Sequence, residues 1–406
     1  MAPLTFPRYQ LVLFVLFLTV KISAQTWVQV ASMPNFNERY NAVSFAIGNK
    51  GYVTTGQTTN TTLNTTWEYD PVTDAWTQMA NFPGGNRRVA AGFAIGNKGY
   101  VLCGRDDSSS SGALHNDVWE FDPAANTWTQ KANFPGGNRE NLVAFSIGGN
   151  GYAGLGLNGS RKLDFYKYDP VGDSWTQLPD IDYYSHHYNT TVFVLNGKGY
   201  FATGSAYSSA TFSNYTSNKV YMFDPATGIW TEKNNFAGTA RQYGTAFTAN
   251  GKAFMGMGNN GLFLTDLWQY DEASDTWASA PEFTPGGRIY TSTFTVGDHV
   301  YVGNGRAPNS QTLTSFYTLD TSLSVPVAAL QSFQVVSGHE TITIAPNIPG
   351  NCTVKIFTSD GKLAMSRELE DGRVQSTIYH QLNPGVYVLS IFGSGKFMNR
   401  KFVVAD

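Results

Sequence analysis

From residue 25 to about 322 the chain alternates short apolar stretches with polar turns, and the same arrangement returns six times. The first copy opens on NAVSFAIG (41–48), small and apolar, as an innermost strand crowded by its neighbours should be. A GNKG turn (48–51) supplies residues that tolerate positive φ and predicts a hairpin into GYVTTG (51–56). TTWEYD (65–70) alternates aromatic and polar residues, the pattern of a half-buried strand. Asp70–Pro71 predicts a turn in which the carboxylate accepts nearby backbone N–H groups while proline presets φ. AWTQM (75–79) then carries the chain back.

The repeat is measured by its key aromatic, which falls at Tyr52, Tyr100, Tyr152, Tyr200, Phe254 and Tyr301, at spacings of 48, 52, 48, 54 and 47 residues. Four residues after each stands a glycine: Gly56, Gly104, Gly156, Gly204, Gly258 and Gly305. Most copies end on a tryptophan (Trp76, Trp128, Trp175, Trp230, Trp277). Four strands per repeat, with no helical period between them, predict the blades of an all-β propeller. The sixth copy has no tryptophan strand, whereas TWVQV (26–30) stands alone before the first copy and matches AWTQM. The strand around Trp27 is therefore expected to complete the last of six blades and leave no open edge.

These features resemble the kelch repeat: an aromatic and glycine on one strand, a YDP turn, and a tryptophan on the outer strand. The resemblance covers residues 25–322 and implies a six-bladed kelch-type β-propeller. Kelch copies usually carry a double glycine where this chain has Thr55–Gly56, Cys103–Gly104 or Thr203–Gly204.

Beyond a linker at 323–332 the repeat disappears. Residues 352–369 and 382–404 each read as a hairpin, turning at SDG and GSG, and predict a small C-terminal β-sandwich over 333–406. It resembles the C-terminal sorting domains of the bacterial type IX secretion system in its DGK, its LNPGVY and its terminal KFVV. That resemblance implies secretion machinery as a partner and a secreted or outer-surface destination. At the other end, Arg8, the apolar run LVLFVLFLTV (11–20) and ISA (22–24) read as a signal peptide over residues 1–24, too short for a stable membrane span.

Without residues 1–24 the chain keeps 25 basic against 30 acidic side chains, and no basic stripe argues for nucleic acid. Cys103 and Cys352 fall in different domains and are expected to be free, buried thiols. No P-loop, nucleophile elbow or CxxC occurs. Galactose oxidase also uses kelch blades, but its copper–radical site needs a Cys–Tyr crosslink and two histidine ligands. Here His115, His299, His339 and His380 show no metal-ligand spacing, so no metal or other cofactor is expected.

Candidate chemistry gathers on the rim. Thirteen residues before each key aromatic lie Arg39, Arg87, Arg139, His187, Arg241 and Arg288, one per blade, and the loops after the glycines add Arg105 and Arg306. Two readings of this ring stay open. Each arginine braces its own loop against backbone carbonyls, or together they hold an anion, since their loops contain few acids beyond Glu38 and Glu140. In some kelch propellers the arginine at this repeat position lines the ligand pocket, for acidic peptides or a sialic acid. The resemblance thus implies an anionic glycan or acidic peptide as ligand. The fourth copy carries DYYSHHY (182–188) instead, where His186, His187 and Tyr188 could move protons near neutral pH. An enzyme acting on anionic sugars, either a uronate lyase or one similar to the kelch-type N-acetylneuraminate epimerases, is the alternative; a structural adhesion scaffold is the third.

Overall fold

The computed structural model describes residues 27–34, 37–107, 112–181, 187–208, 213–320, 335–337, 341–344, 351–358, 362–370, 376–393 and 396–404. The signal-peptide reading, the linker at 323–332 and the segment 182–186 lie outside the described residues. The chain divides into two compact units, Met1–Ser324 and Val325–Asp406.

Among the described residues the first unit holds six blade sheets, five of them running outward in chain order from an innermost strand, and a two-stranded hairpin of Leu157–Asn158 with Ser160–Arg161. Blade 1 is Val43–Ile47, Lys50–Thr54, Thr66–Asp70 and Ala75–Met79. Blades 2, 3 and 5 repeat it from Ala91, Val143 and Thr245. Blade 4, starting at Thr191, differs by lengthening its two middle strands to Lys198–Ser208 and Ser213–Asp224. Blade 6 takes Ser292–Val296, His299–Gly303 and Phe316–Asp320, and its outer strand is Val28–Val30, paired with Phe316–Thr318. Strands from both ends of the unit thus share one sheet, which ties the ring shut.

The innermost strands alternate buried and half-buried residues because one face packs on the next blade while the other lines the axis. Their central phenylalanine is the knob between blades. Phe45 lies where a Cβ on Gly99 would sit, Phe93 does the same at Gly151, Phe145 at Gly199 and Phe294 at Gly51. The contact of Phe294 with Gly51 joins blade 6 to blade 1. The Asp-Pro turns form as the sequence implies: Asp70, Asp122, Asp169 and Asp224 each accept the amide two residues on, at 2.9–3.0 Å. An axial cavity of about 370 Å³, lined by small or uncharged residues such as Ser146, Val194, Thr248, Thr293 and Thr295, runs between the inner strands.

The second unit is a sandwich of a three-stranded and a four-stranded sheet. Ile342, Ile344, Val354, Ile356, Leu389 and Ile391 fill its core. Cys103 and Cys352 are both buried, and neither forms a disulfide.

Candidate functional site

The five repeat arginines are among the most buried side chains of the propeller: Arg39, Arg87 and Arg241 are 0% exposed and Arg139 is 1%. Each lies just before an innermost strand and turns back into its own blade. There its Nη1 donates to the carbonyl sixteen residues on: Thr55 (3.0 Å), Cys103 (2.7 Å), Leu155 (3.1 Å), Met257 (3.0 Å) and Asn304 (3.3 Å). These acceptors occupy the position of the missing first glycine, and all five have positive φ, from 53° to 61°. Left-handed backbone is disfavoured for residues with a Cβ, and a guanidinium anchored on the carbonyl holds it there. The arginine segment also fastens blade to blade. Its backbone carbonyl accepts the amide of the preceding blade's glycine: Gly56 to Arg87, Gly104 to Arg139, Gly204 to Arg241 and Gly305 to Arg39, at 2.7–2.9 Å.

Three of the guanidiniums meet a carboxylate as a two-pronged fork. Arg87 pairs with Asp117 (2.7 and 3.2 Å), Arg139 with Asp164 (2.7 and 2.9 Å) and Arg241 with Asp266 (2.6 and 2.8 Å). Arg87, Arg139, Arg241 and Arg288 also lie over Phe82, Phe134, Phe236 and Phe283, 4.8–5.3 Å from the ring centroids. The expected ring of anion-facing arginines is corrected accordingly. Arg39, Arg87, Arg139, Arg241 and Arg288 point into the blades, with their terminal nitrogens held by carbonyls, hydroxyls and carboxylates, so the bracing reading is the one the geometry supports. Sequence reasoning missed the carboxylates because it sought acids within the arginine loops, whereas they sit 25–30 residues downstream, at the head of the third strand.

Two blades break this pairing. Thr65 and Ser315 stand where Asp117, Asp164 and Asp266 stand elsewhere, so Arg39 and Arg288 bond to hydroxyls and carbonyls. Burial pulls both guanidiniums below their ordinary range, with Glu38 opposing it at Arg39 and Tyr317 at Arg288. Blades 6 and 1 are neighbours, so their two undercompensated cations lie in one sector.

The mouth itself is built by the residues that follow the arginines. Asn41, Val89, Asn141, Asn189, Tyr243 and Tyr290 all have positive φ, 47–60°. They hydrogen-bond around the axis: Val89 N–H to Asn41, Asn141 to Val89 and Tyr243 to Asn189, at 3.1–3.2 Å. In the sector of blades 5, 6 and 1 three tyrosines meet, Tyr290 lying 4.3 Å from Tyr243 and 5.7 Å from Tyr40 between centroids. Burial, then contact with Tyr243, pushes the Tyr290 hydroxyl well above the usual phenol range, which keeps it protonated. The Arg306 guanidinium sits over Tyr40, 5.7 Å from the ring centre, and its Nε donates to the Ser310 carbonyl at 3.5 Å. Among the described residues Arg306 has no carboxylate partner.

Arg105 is placed differently: its Nε and Nη2 grip Glu140 of blade 3 at 2.8 and 2.9 Å. Arg88 faces Asp107 at 3.4 Å, and Asp106 holds the His115 ring at 2.9 Å. Of the expected proton movers, His186 lies outside the described residues. His187 and Tyr188 form a short strand against Ser205–Ala206 of blade 4. Tyr188 carries Arg161 of blade 3 over its ring at 5.0 Å. Among the described residues no group of three or more His, Cys, Asp or Glu is arranged to hold a metal ion.

The family model described as Kelch motif matches residues 38–83, and the one described as Secretion system C-terminal sorting domain matches residues 338–405. No curated protein sequence matches the chain. Among solved structures, one titled "Structure of YjhT" is similar over 71% of this chain and 96% of its own, at 17% identity and a TM-score of 0.59, a likeness of fold.

Proposed function

We propose that the protein, a kelch propeller exported by the type IX system through its C-terminal sorting domain, binds anionic glycans at the axial mouth. The observation that carries this reading is Arg306: of the seven arginines singled out in the sequence, it combines a position on the mouth, an aromatic platform and no carboxylate partner among the described residues. A sugar carboxylate accepting from its fork gains charge-assisted hydrogen bonds, and a pyranose face stacks on Tyr40 or Tyr243. Undercompensated Arg39 and Arg288 behind it add positive potential without touching the ligand. Gln57, bridged to Tyr40, and Asn259, bridged to Gln242 beside Tyr243, supply neutral donors and acceptors suited to hydroxyls.

The test is a glycan array probed with the full chain. Uronate- or sialate-bearing glycans should be retained and their carboxyl-reduced counterparts lost. Equal retention of charged and reduced forms, or binding confined to neutral glycans, would refute an anion-reading mouth.

A further inference from the structure

Tyr40–Asn41 in blade 1 and Tyr188–Asn189 in blade 4 are the same dipeptide at the same repeat position. Blades 1 and 4 are three apart in a ring of six, so the two pairs face each other across the axis. The neighbouring residues complete the likeness. Arg306 comes from the blade preceding Tyr40 and lies 5.7 Å over its ring; Arg161 comes from the blade preceding Tyr188 and lies 5.0 Å over that one. Asn41 and Asn189 both have φ of 55°, which puts one asparagine of the inner ring beside each tyrosine. The two stations are not equally enclosed. At the blade 4 end the long hairpin Lys198–Ser208 and Ser213–Asp224 extends past the ordinary blade, and its Asn214 carboxamide accepts from Arg161.

We propose that these two stations hold one ligand between them: a linear oligosaccharide with repeated carboxylates, laid across the mouth from blade 1 to blade 4. Each Arg–Tyr pair takes one acidic sugar, carboxylate to guanidinium and ring face to tyrosine. Asn41 and Asn189 bond hydroxyls of the units between, and the blade 4 hairpin walls one end. This inference rests on the anionic-glycan reading above and gives it a chain length. A single acidic sugar fills one station; a longer chain engages the second from an already tethered state, so affinity climbs with length once the span is reached.

The experiment titrates the full-chain protein with galacturonate and its linear oligomers of two to six units by calorimetry. Affinity should be weak for the monomer and rise about 100-fold or more at one threshold length. Arg161→Gln and Arg306→Gln should each return the longest oligomer to nearly monomer affinity, and Tyr188→Leu should do so independently of any charge change. Unchanged thermal unfolding of each variant separates lost contact from lost fold. If affinity depends on Arg306 but not on length or Arg161, the spanning mode is overturned while the anionic-glycan reading stands. If no oligomer of any length binds, the spanning mode falls, and the anionic-glycan reading falls with it only if sialate-bearing glycans also fail to be retained on the array.

Discussion

Arg87 and Asp117 meet inside blade 2 as fork and carboxylate, 2.7 and 3.2 Å apart, with the arginine wholly buried. Asp117 also accepts from the Trp119 indole at 2.7 Å, so one carboxylate satisfies two buried donors. Removing it strands a buried cation. Asp117→Ala should therefore cost about 2–4 kcal/mol of stability, the lower part of the range allowing for the carboxylate's partial exposure. Urea unfolding measures it; a loss below about 0.5 kcal/mol would mean the fork is not what holds the loop.

The same forks make stability depend on pH in a definite direction. Burial raises the carboxyls of Asp117 and Asp266, but the hydrogen bonds and charge of Arg87 and Arg241, with the two indoles, outweigh it and hold both below the usual range. A depressed folded value means the folded state releases these protons more readily than the unfolded chain does. Their contribution is complete above the unfolded value near 4 and drains away as pH falls through the folded one. The melting temperature should drop steeply below about pH 4, and less steeply in Asp117→Asn, which has already lost its share.

Blade 1 offers the converse experiment. Thr65 replaces the aspartate there, and the buried Trp67 indole N–H has no partner among the described residues, whereas Trp119 and Trp268 donate to Asp117 and Asp266. Thr65→Asp would give both Arg39 and Trp67 an acceptor and is expected to stabilise the protein by about 1–2 kcal/mol. It also cancels positive potential beside Tyr40. A charge on the order of 10 Å from the bound carboxylate should weaken anion binding roughly two- to threefold. A more stable variant with weaker binding is the expected pair of results, and equilibrium unfolding with a galacturonate-oligomer titration reads both.

Closure of the ring can be tested at one glycine. A Cβ on Gly51 would lie 2.1 Å from the Phe294 ring, so Gly51→Ala must push blade 1 away from blade 6, the blade whose sheet joins strands from both ends of the propeller. A loss of about 2–3 kcal/mol is expected. Gly48→Ala, whose Cβ meets nothing within 4 Å, should show only the smaller cost of its left-handed φ.

The blades were legible because their determinants are local and repeated: the aromatic, the glycine and the Asp-Pro turn recur in register, and a propeller is their sum. The arginine position was legible too, but not its direction. A guanidinium turned back into the blade answers to acceptors from other strands of that blade, a carboxylate in three blades and a hydroxyl with its carbonyl in two. The signal was present in NDVW (116–119), LDFY (163–166) and TDLW (265–268), against TTW (65–67) and TSF (314–316). It becomes readable only once the register of strand against loop is known. Arg105 was obscured in the same way, since Glu140 reaches it from the next blade and only the packing of blade 3 on blade 2 brings the two together. Arg161 falls at no repeat position, and the contacts among Tyr40, Tyr243 and Tyr290 arise only when blades 5, 6 and 1 are brought side by side.

The most direct measurement is a calorimetric titration of a galacturonate oligomer into the full-chain protein and its Arg306→Gln variant at low salt. Loss of the Arg306 fork should weaken binding of an oligomer long enough to span the mouth about 100-fold or more, with the fold intact. Binding of equal strength by the variant would contradict the assignment of Arg306 as the anion-reading group of the mouth.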